Sequence, residues 1–440
     1  MRSQYRLAVV AVLLLVSCTP SNQASTTSIS TTAPEPTTST AVETTTALTL
    51  PEGTEELPEG LRAEIARLIP RTEELRELRF VSPPTITVLT NEELSQRVIE
   101  QIEEEYEDAE VDEALFRVLG LIGPEYDLLE NLTALYGAQV AGYYHFDTKE
   151  LVVTARNEEF SPLEEVTLVH ELTHALTDQV HAFNDEYNEL FDSERFDEGS
   201  AFQSVIEGDA TLVESLFAQQ LNPEEQQELL EEAFADDNSA FEDAPEFIQD
   251  SLIFPYQEGT AFTQAKWVEG GFAAIDALYE APPISTEQIL TPTDYPSDVP
   301  AAVDLPNNEI DGYEHSEGSV WGEQGFRLMF DQILGGADNA AEGWGGDSYD
   351  VYFNGADAVL VLLYQGDQAS DAAEMASSLN DYFRIVTGVN EPVADAGPGG
   401  GAVYSGADYA FVSNVGDRVL LVAAGDPGAG AIARSLYPEF

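Results

Sequence analysis

His170 and His174 stand four residues apart in the run Val169–Gln179 (VHELTHALTDQ), with Glu171 directly after the first. On a helix, residues at i and i+4 lie one above the other on one face, so both imidazoles can reach a single ion. A carboxylate beside them can take a proton from a water activated by that ion. The chain has only five histidines, and His170, His174 and His181 fall within twelve residues. The chemistry this spacing points to is Zn2+-dependent hydrolysis, with His170 and His174 as metal ligands and Glu171 as general base.

Catalytic zinc usually takes three protein ligands and keeps one position open, so a third ligand must come from elsewhere. His181 lies about 10 Å beyond His174 along the helix axis, too far to share the ion. The metzincin pattern needs Gly at 177 and His at 180, where this chain has Thr177 and Val180. Downstream, Glu198 (EGSA) and Glu207 (EGDA) each precede small residues that would let their helix approach the motif helix closely. Nine residues separate them, so they point to opposite sides and at most one can bind. Glu198 shares a side with Val205, Leu212 and Leu216, and Glu207 lies on the stripe of Gln203, Thr211 and Glu214. Spacing leaves both open.

The elements that must hold these groups are partly legible. Ser161 is an N-cap, Pro162 takes the first helical position and Glu164 completes a capping box, so the motif helix starts there. Its wheel puts Val166, His170, His174, Thr177 and His181 on one side and Leu172, Leu176 and Val180 on the other, buried side. Two apolar runs between Val140 and Thr154, around Asp147-Thr148-Lys149, predict a hairpin immediately before it. Helices are expected at about 55–79, 92–107, 111–121, 196–220, 223–235, 258–279 and 317–334, with a strand at 84–89. From Tyr349 onward β-branched runs at 358–363, 410–415 and 418–423 surround a helix at 370–383.

The expected fold class is therefore α+β: a helix-rich zincin-like catalytic domain over 51–345 with a small N-terminal sheet, then a C-terminal α+β unit over 346–440. The role of that unit is not readable. Residues 1–18 carry Arg2, Arg6 and ten apolar residues from Leu7 to Val16, too few to span a bilayer, and end in Leu15-Val16-Ser17-Cys18. This predicts a bacterial lipoprotein signal with Cys18, the only cysteine, as the lipidated residue. Residues 19–50 hold 17 Ser or Thr out of 32 and cannot form a core, which predicts a disordered tether. The expected location is the outer face of the bacterial cell membrane, reached only through the lipid anchor.

Eighty-two acidic residues against 17 basic ones give a formal charge of −65. That balance excludes nucleic acid and anionic lipid surfaces as partners. The acids are spread along the whole folded part, as on a solvated acidic surface.

The run His170–Asp178 (HELTHALTD) resembles the active-site helix of thermolysin and its gluzincin relatives. More broadly, residues from about 60 to 360 are similar to a group of bacterial lipoproteins and metallopeptidases through VAGYYHFDTKELVV, HELTHALTDQ, VIEGDATLVE, FPYQEGTAF and PPISTEQIL. The resemblance implies that the E-G-D-A segment supplies the third ligand, Glu207. In thermolysin an Asp four residues after that Glu orients the first His, whereas this chain has Thr211. Asp178 and Asp209 are then the candidates to hold an imidazole N–H. No counterpart of thermolysin's oxyanion-stabilising stretch is present, and Tyr256 and His315 are left unassigned.

The function expected is a cell-surface zinc peptidase acting on a peptide or protein substrate. The alternative is a non-catalytic surface-binding lipoprotein on a zincin scaffold, against which the intact Glu171 argues. The sequence sets neither cleavage preference nor oligomeric state.

Overall fold

The computed structural model describes residues 10–12 and 51–440, apart from 52, 55, 107–108, 236–238, 307, 336–337 and 395–398. The expectations for the leader, Cys18 and the tether thus lie outside the described residues, except at Val10–Val12.

The chain runs β1 (Val10–Val12), α1 (Glu59–Arg76), β2 (Thr85–Leu89), α2 (Asn91–Glu105), α3 (Ala109–Leu119) and α4 (Leu128–Gln139). The hairpin β3 (Val140–His145) and β4 (Glu150–Thr154) leads into α5 (Pro162–His181), which carries the motif. Next come α6 (Asn184–Asp192), α7 (Phe196–Ala218), α8 (Pro223–Ala233), α9 (Ser239–Glu242), α10 (Glu246–Gly270), α11 (Phe272–Glu280) and α12 (Thr286–Leu290). The last part holds β5 (Glu314–Ser319), α13 (Gly322–Leu334), β6 (Trp344–Phe353), β7 (Ala358–Gly366), α14 (Ala369–Val386), β8 (Val393–Ala394), β9 (Ala402–Ser405), β10 (Tyr409–Val415), β11 (Arg418–Ala424) and α15 (Pro427–Ser435). The fold is mixed α+β. No helix among the described residues is long and apolar enough to cross a membrane.

Two sheets organise it. In the first, β4 pairs antiparallel with β3 and parallel with β2, and β1 lies antiparallel along the outer side of β3. The second is antiparallel throughout, in the order β5-β6-β7-β11-β10-β9-β8. Alternation along its strands explains how it is covered. Leu360, Leu362, Leu421 and Ala423 face the side of α14, and Val359, Val361, Leu420 and Val422 face the side of α15. A strand covered on both faces reads as a continuous apolar run, as β7 does. The α14 side shares one core with α2 to α4 and with Tyr143 and Val152 of the first sheet.

The motif helix has the expected start. The Ser161 hydroxyl accepts from the Glu164 N–H, and Glu164 accepts from the Ser161 N–H at 2.9 Å. It ends at Ala182, whose φ of 54° is left-handed. Leu172 and Leu176 are wholly buried, but Val180 is 39 % exposed because the helix emerges from the core at its last turn. The side bearing His170 and His174 is buried as well, so α5 passes through the interior.

Two expected helices need correction. The stretch from Glu317 to Leu334 is not one helix: Glu317–Ser319 pair with β6, and α13 starts only at Gly322, whose φ of 76° breaks the chain direction. Sheet pairing outweighs the local helical pattern there. The second sheet is consequently drawn from both sides of residue 346. The helix expected from Glu258 to Tyr279 begins earlier, at Glu246, and is divided at Gly271 (φ 65°) into α10 and α11.

Candidate metal centre

Helices α5 and α7 bring three side chains to one point. His170 Nε2 lies 3.0 Å from His174 Nε2 and 3.2 Å from Glu207 Oε2. His174 Nε2 lies 3.4 Å from the same carboxylate oxygen. All three residues are buried, and they are the one such His/Cys/Asp/Glu group among the described residues. Ligands bonded at about 2.0–2.1 Å in a tetrahedron stand about 3.3–3.4 Å apart, so these separations match three corners of a tetrahedral site.

The donor set could hold a cation. His170 Nδ1 is 3.0 Å from Glu214 Oε2, a pairing that places the Nδ1 proton toward Glu214 and leaves the Nε2 lone pair facing inward. Two imidazole nitrogens and a carboxylate oxygen then converge with their lone pairs toward one another. Glu207 Oε1 and His174 Nδ1 are buried with no hydrogen-bond partner, and the Glu171 carboxylate is buried with only the Tyr144 backbone N–H near it. Buried carboxylates in such a state are costly unless a cation neutralises them.

The electrostatics point the same way. Burial raises the Glu171 carboxyl to about 8; the nearby His170 opposes that rise and the Glu207 charge adds to it. Burial disfavours charge on His170, but its hydrogen bonds to Glu207 and Glu214 outweigh this and hold it well above the ordinary histidine value. Burial keeps His174 below that value despite Glu207. Burial also acts against charge on Glu207, yet the two imidazoles hold it below the usual carboxylate range. A proton on His170 thus competes with a metal, whereas His174 and Glu207 are held in the deprotonated forms that bind one.

The two groups expected to support the imidazoles, Asp178 and Asp209, make their hydrogen bonds elsewhere, although the Asp209 charge acts on His174. Asp178 accepts from the Tyr144 hydroxyl at 2.7 Å and pairs with Lys149. Its position one turn past His174 aims it at the hairpin rather than at a ring nitrogen. Asp209 accepts from Arg76 Nε at 2.9 Å and from the Tyr279 hydroxyl at 3.0 Å, holding α7 to α1 and α11. The group that meets an imidazole is Glu214. Seven residues is nearly two full turns, so Glu214 returns to the face of Glu207, and its longer side chain spans the extra turn. Its place on the Glu207 stripe was the available signal.

The remaining candidates separate cleanly. Glu198 sits in the first turn of α7 and pairs with Arg195 at the surface, away from the histidines. The small residue beside Glu207 serves α10 rather than α5: a Cβ on Gly208 would stand 2.2 Å from the Gly259 carbonyl oxygen. His181 is stacked on Tyr279 with ring centres 4.4 Å apart and lies 3.4 Å from Asp276. His315 is at the surface of β5, bonded to Asp350 at 2.9 Å. Tyr256 comes to the site, with its ring centre 6.3 Å from that of His170.

Similarity to known proteins adds little chemistry. Residues 310–434 match a family described as a domain of unknown function, DUF8575. No curated protein matches the chain. A crystal structure from Chloroflexus aurantiacus, described as a "putative hydrolase with a novel fold", is similar at 20% identity over 53% of this chain and 87% of that one, with a TM-score of 0.36. A superposition of that quality carries no argument about activity.

Proposed function

We propose that this protein is a zinc-dependent peptidase of the gluzincin type, held at the outer cell surface by a lipid on Cys18. The observation that carries the reading is the buried trio His170, His174 and Glu207, with ligand atoms 3.0–3.4 Å apart and a wholly buried Glu171 beside it. His170, His174 and Glu207 hold the ion, and Glu214 fixes the His170 tautomer. Bound there, Zn2+ supplies Lewis-acid polarisation of a carbonyl and lowers the pKa of a water.

The chain's own residues do the rest. Glu171 sits in a dry environment that raises its proton affinity, which suits a base that must accept a proton and then give it up. It takes a proton from the attacking water and passes it to the leaving nitrogen. An extended peptide pairs with the outer edge of β3, the edge along which Val10–Val12 lie antiparallel.

The test is peptide hydrolysis by purified protein and by Glu171→Gln. Cleavage in the parent, reduced about 10²–10⁴-fold in the variant with its zinc retained, supports the reading. Stoichiometric zinc with no cleavage of any peptide in a mixed library favours a binding protein instead.

A further inference from the structure

A cavity of 290 Å³ lies beside the metal centre, walled by α3, α4, α7 and α10 and by Val320, Trp321, α13 and β6 of the C-terminal part. Its place relative to the chemistry follows from α7. Phe196, Ser200 and Gln203 line it, and they share a face with Glu207 and Glu214 at spacings of three, four and seven. Gln203 is one turn, about 6 Å, before Glu207. On the opposite wall Tyr256 both lines the cavity and stands against the His170 ring. A group in this cavity is therefore next to the ligands.

The lining states what that group is. Aromatic rings dominate, among them Phe116, Phe247, Trp321 and Tyr349, and no Lys, Arg or His is present. Its two acids are already committed: Asp112 to the Tyr106 hydroxyl at 2.6 Å and Asp197 to Thr286. An anionic side chain would find no counter-charge there. The volume is at the low end for small-molecule sites, and larger than a methyl or hydroxymethyl group requires. The Trp321 Nε1 donor is buried without a partner and offers a bound group one hydrogen bond.

We propose that Val320, Trp321, α13 and β6 complete, against α7 and α10, a pocket that receives a bulky apolar or aromatic side chain of the substrate next to the scissile bond. The inference rests on the peptidase reading for the nature of the substrate, and it gives the C-terminal part a function: it selects.

The experiment compares kcat/KM for peptides carrying Phe, Leu, Ala, Asp or Lys beside the cleaved bond. Phe or Leu should exceed Ala by at least about tenfold, the scale of filling an apolar pocket. Ser200→Phe from α7 and Gln324→Phe from α13 fill the cavity from opposite walls, and each should reduce that preference at least about tenfold. Calorimetric titration with N-acetyl-phenylalaninamide follows the pocket independently of catalysis. Binding that both variants abolish, without cleavage of any peptide, removes the peptidase reading and leaves the pocket standing. Cleavage by the parent with no preference for bulky apolar groups, or an unchanged preference in either folded variant, overturns the proposal.

Discussion

Removing the Glu214 carboxylate tests how the first histidine is held. The His170 Nδ1–Glu214 Oε2 contact is 3.0 Å, with the two side chains 3% and 14% exposed, so it is a charge-assisted bond in a largely dry setting. Such bonds contribute about 1.5–3 kcal/mol, which at about 1.4 kcal/mol per decade is a factor of about 10–150. Supporting groups of metal-bound histidines generally fall within about 10–100-fold in affinity. Glu214→Ala should therefore raise the zinc Kd about 10–100-fold, and Glu214→Gln, which keeps a neutral acceptor, should lie between it and the parent. Competition with a chelator of known affinity, at one fixed pH, measures this. Asp178→Asn is the matched control: its partners are Tyr144 and Lys149, so zinc affinity should stay within about twofold of the parent. A folded Glu214→Ala protein that binds zinc as tightly as the parent, or a larger loss in Asp178→Asn, refutes the assignment.

Two predictions concern the frame around the site. Arg76 and Asp209 are both wholly buried and pair at 2.8 Å, so Arg76→Ala leaves an uncompensated carboxylate and should cost about 3–5 kcal/mol in denaturant unfolding; a loss below about 1 kcal/mol would contradict this role. Burial raises Asp197 to about 7, with Asp347 and Glu323 adding to the rise and hydrogen bonds from Thr286 opposing it. Because the folded protein holds this proton more tightly than the unfolded chain, the stability contribution is full below about pH 4 and is lost as pH climbs through about 7. Asp197→Asn keeps the acceptor without the charge, so its unfolding free energy should fall less between pH of about 4 and about 8 than the parent's; parallel profiles would remove the claim.

How much of this was legible in the residues depended on whether the information was local. The start of α5 was, because Ser161, Pro162 and Glu164 satisfy one another within four residues. So was the β3–β4 hairpin, and so were the apolar runs of β7, β10 and β11. The pairing of His170 with His174 follows from helix geometry alone. The choice of Glu207 over Glu198 does not, since each is one carboxylate on a helix; the resemblance pointed to Glu207, and the docking of α7 onto α5 brings it to the histidines. The same docking put Glu214 under His170, where the search for a short-range Asp pointed to Asp178 and Asp209. Gly208 was read for the wrong neighbour because smallness says that something is close, not what it is. Residues Glu317–Ser319 have a helical pattern yet form an edge strand, since a partner lying some thirty residues away outweighs it.

Metal content is the most direct measurement of the central claim. Equilibrium dialysis against zinc, followed by elemental analysis, should give one ion per chain, lost or greatly weakened in His170→Ala, His174→Ala and Glu207→Ala but kept in Glu198→Ala. A parent protein that retains no zinc, or a Glu207→Ala protein that retains it in full, contradicts the account.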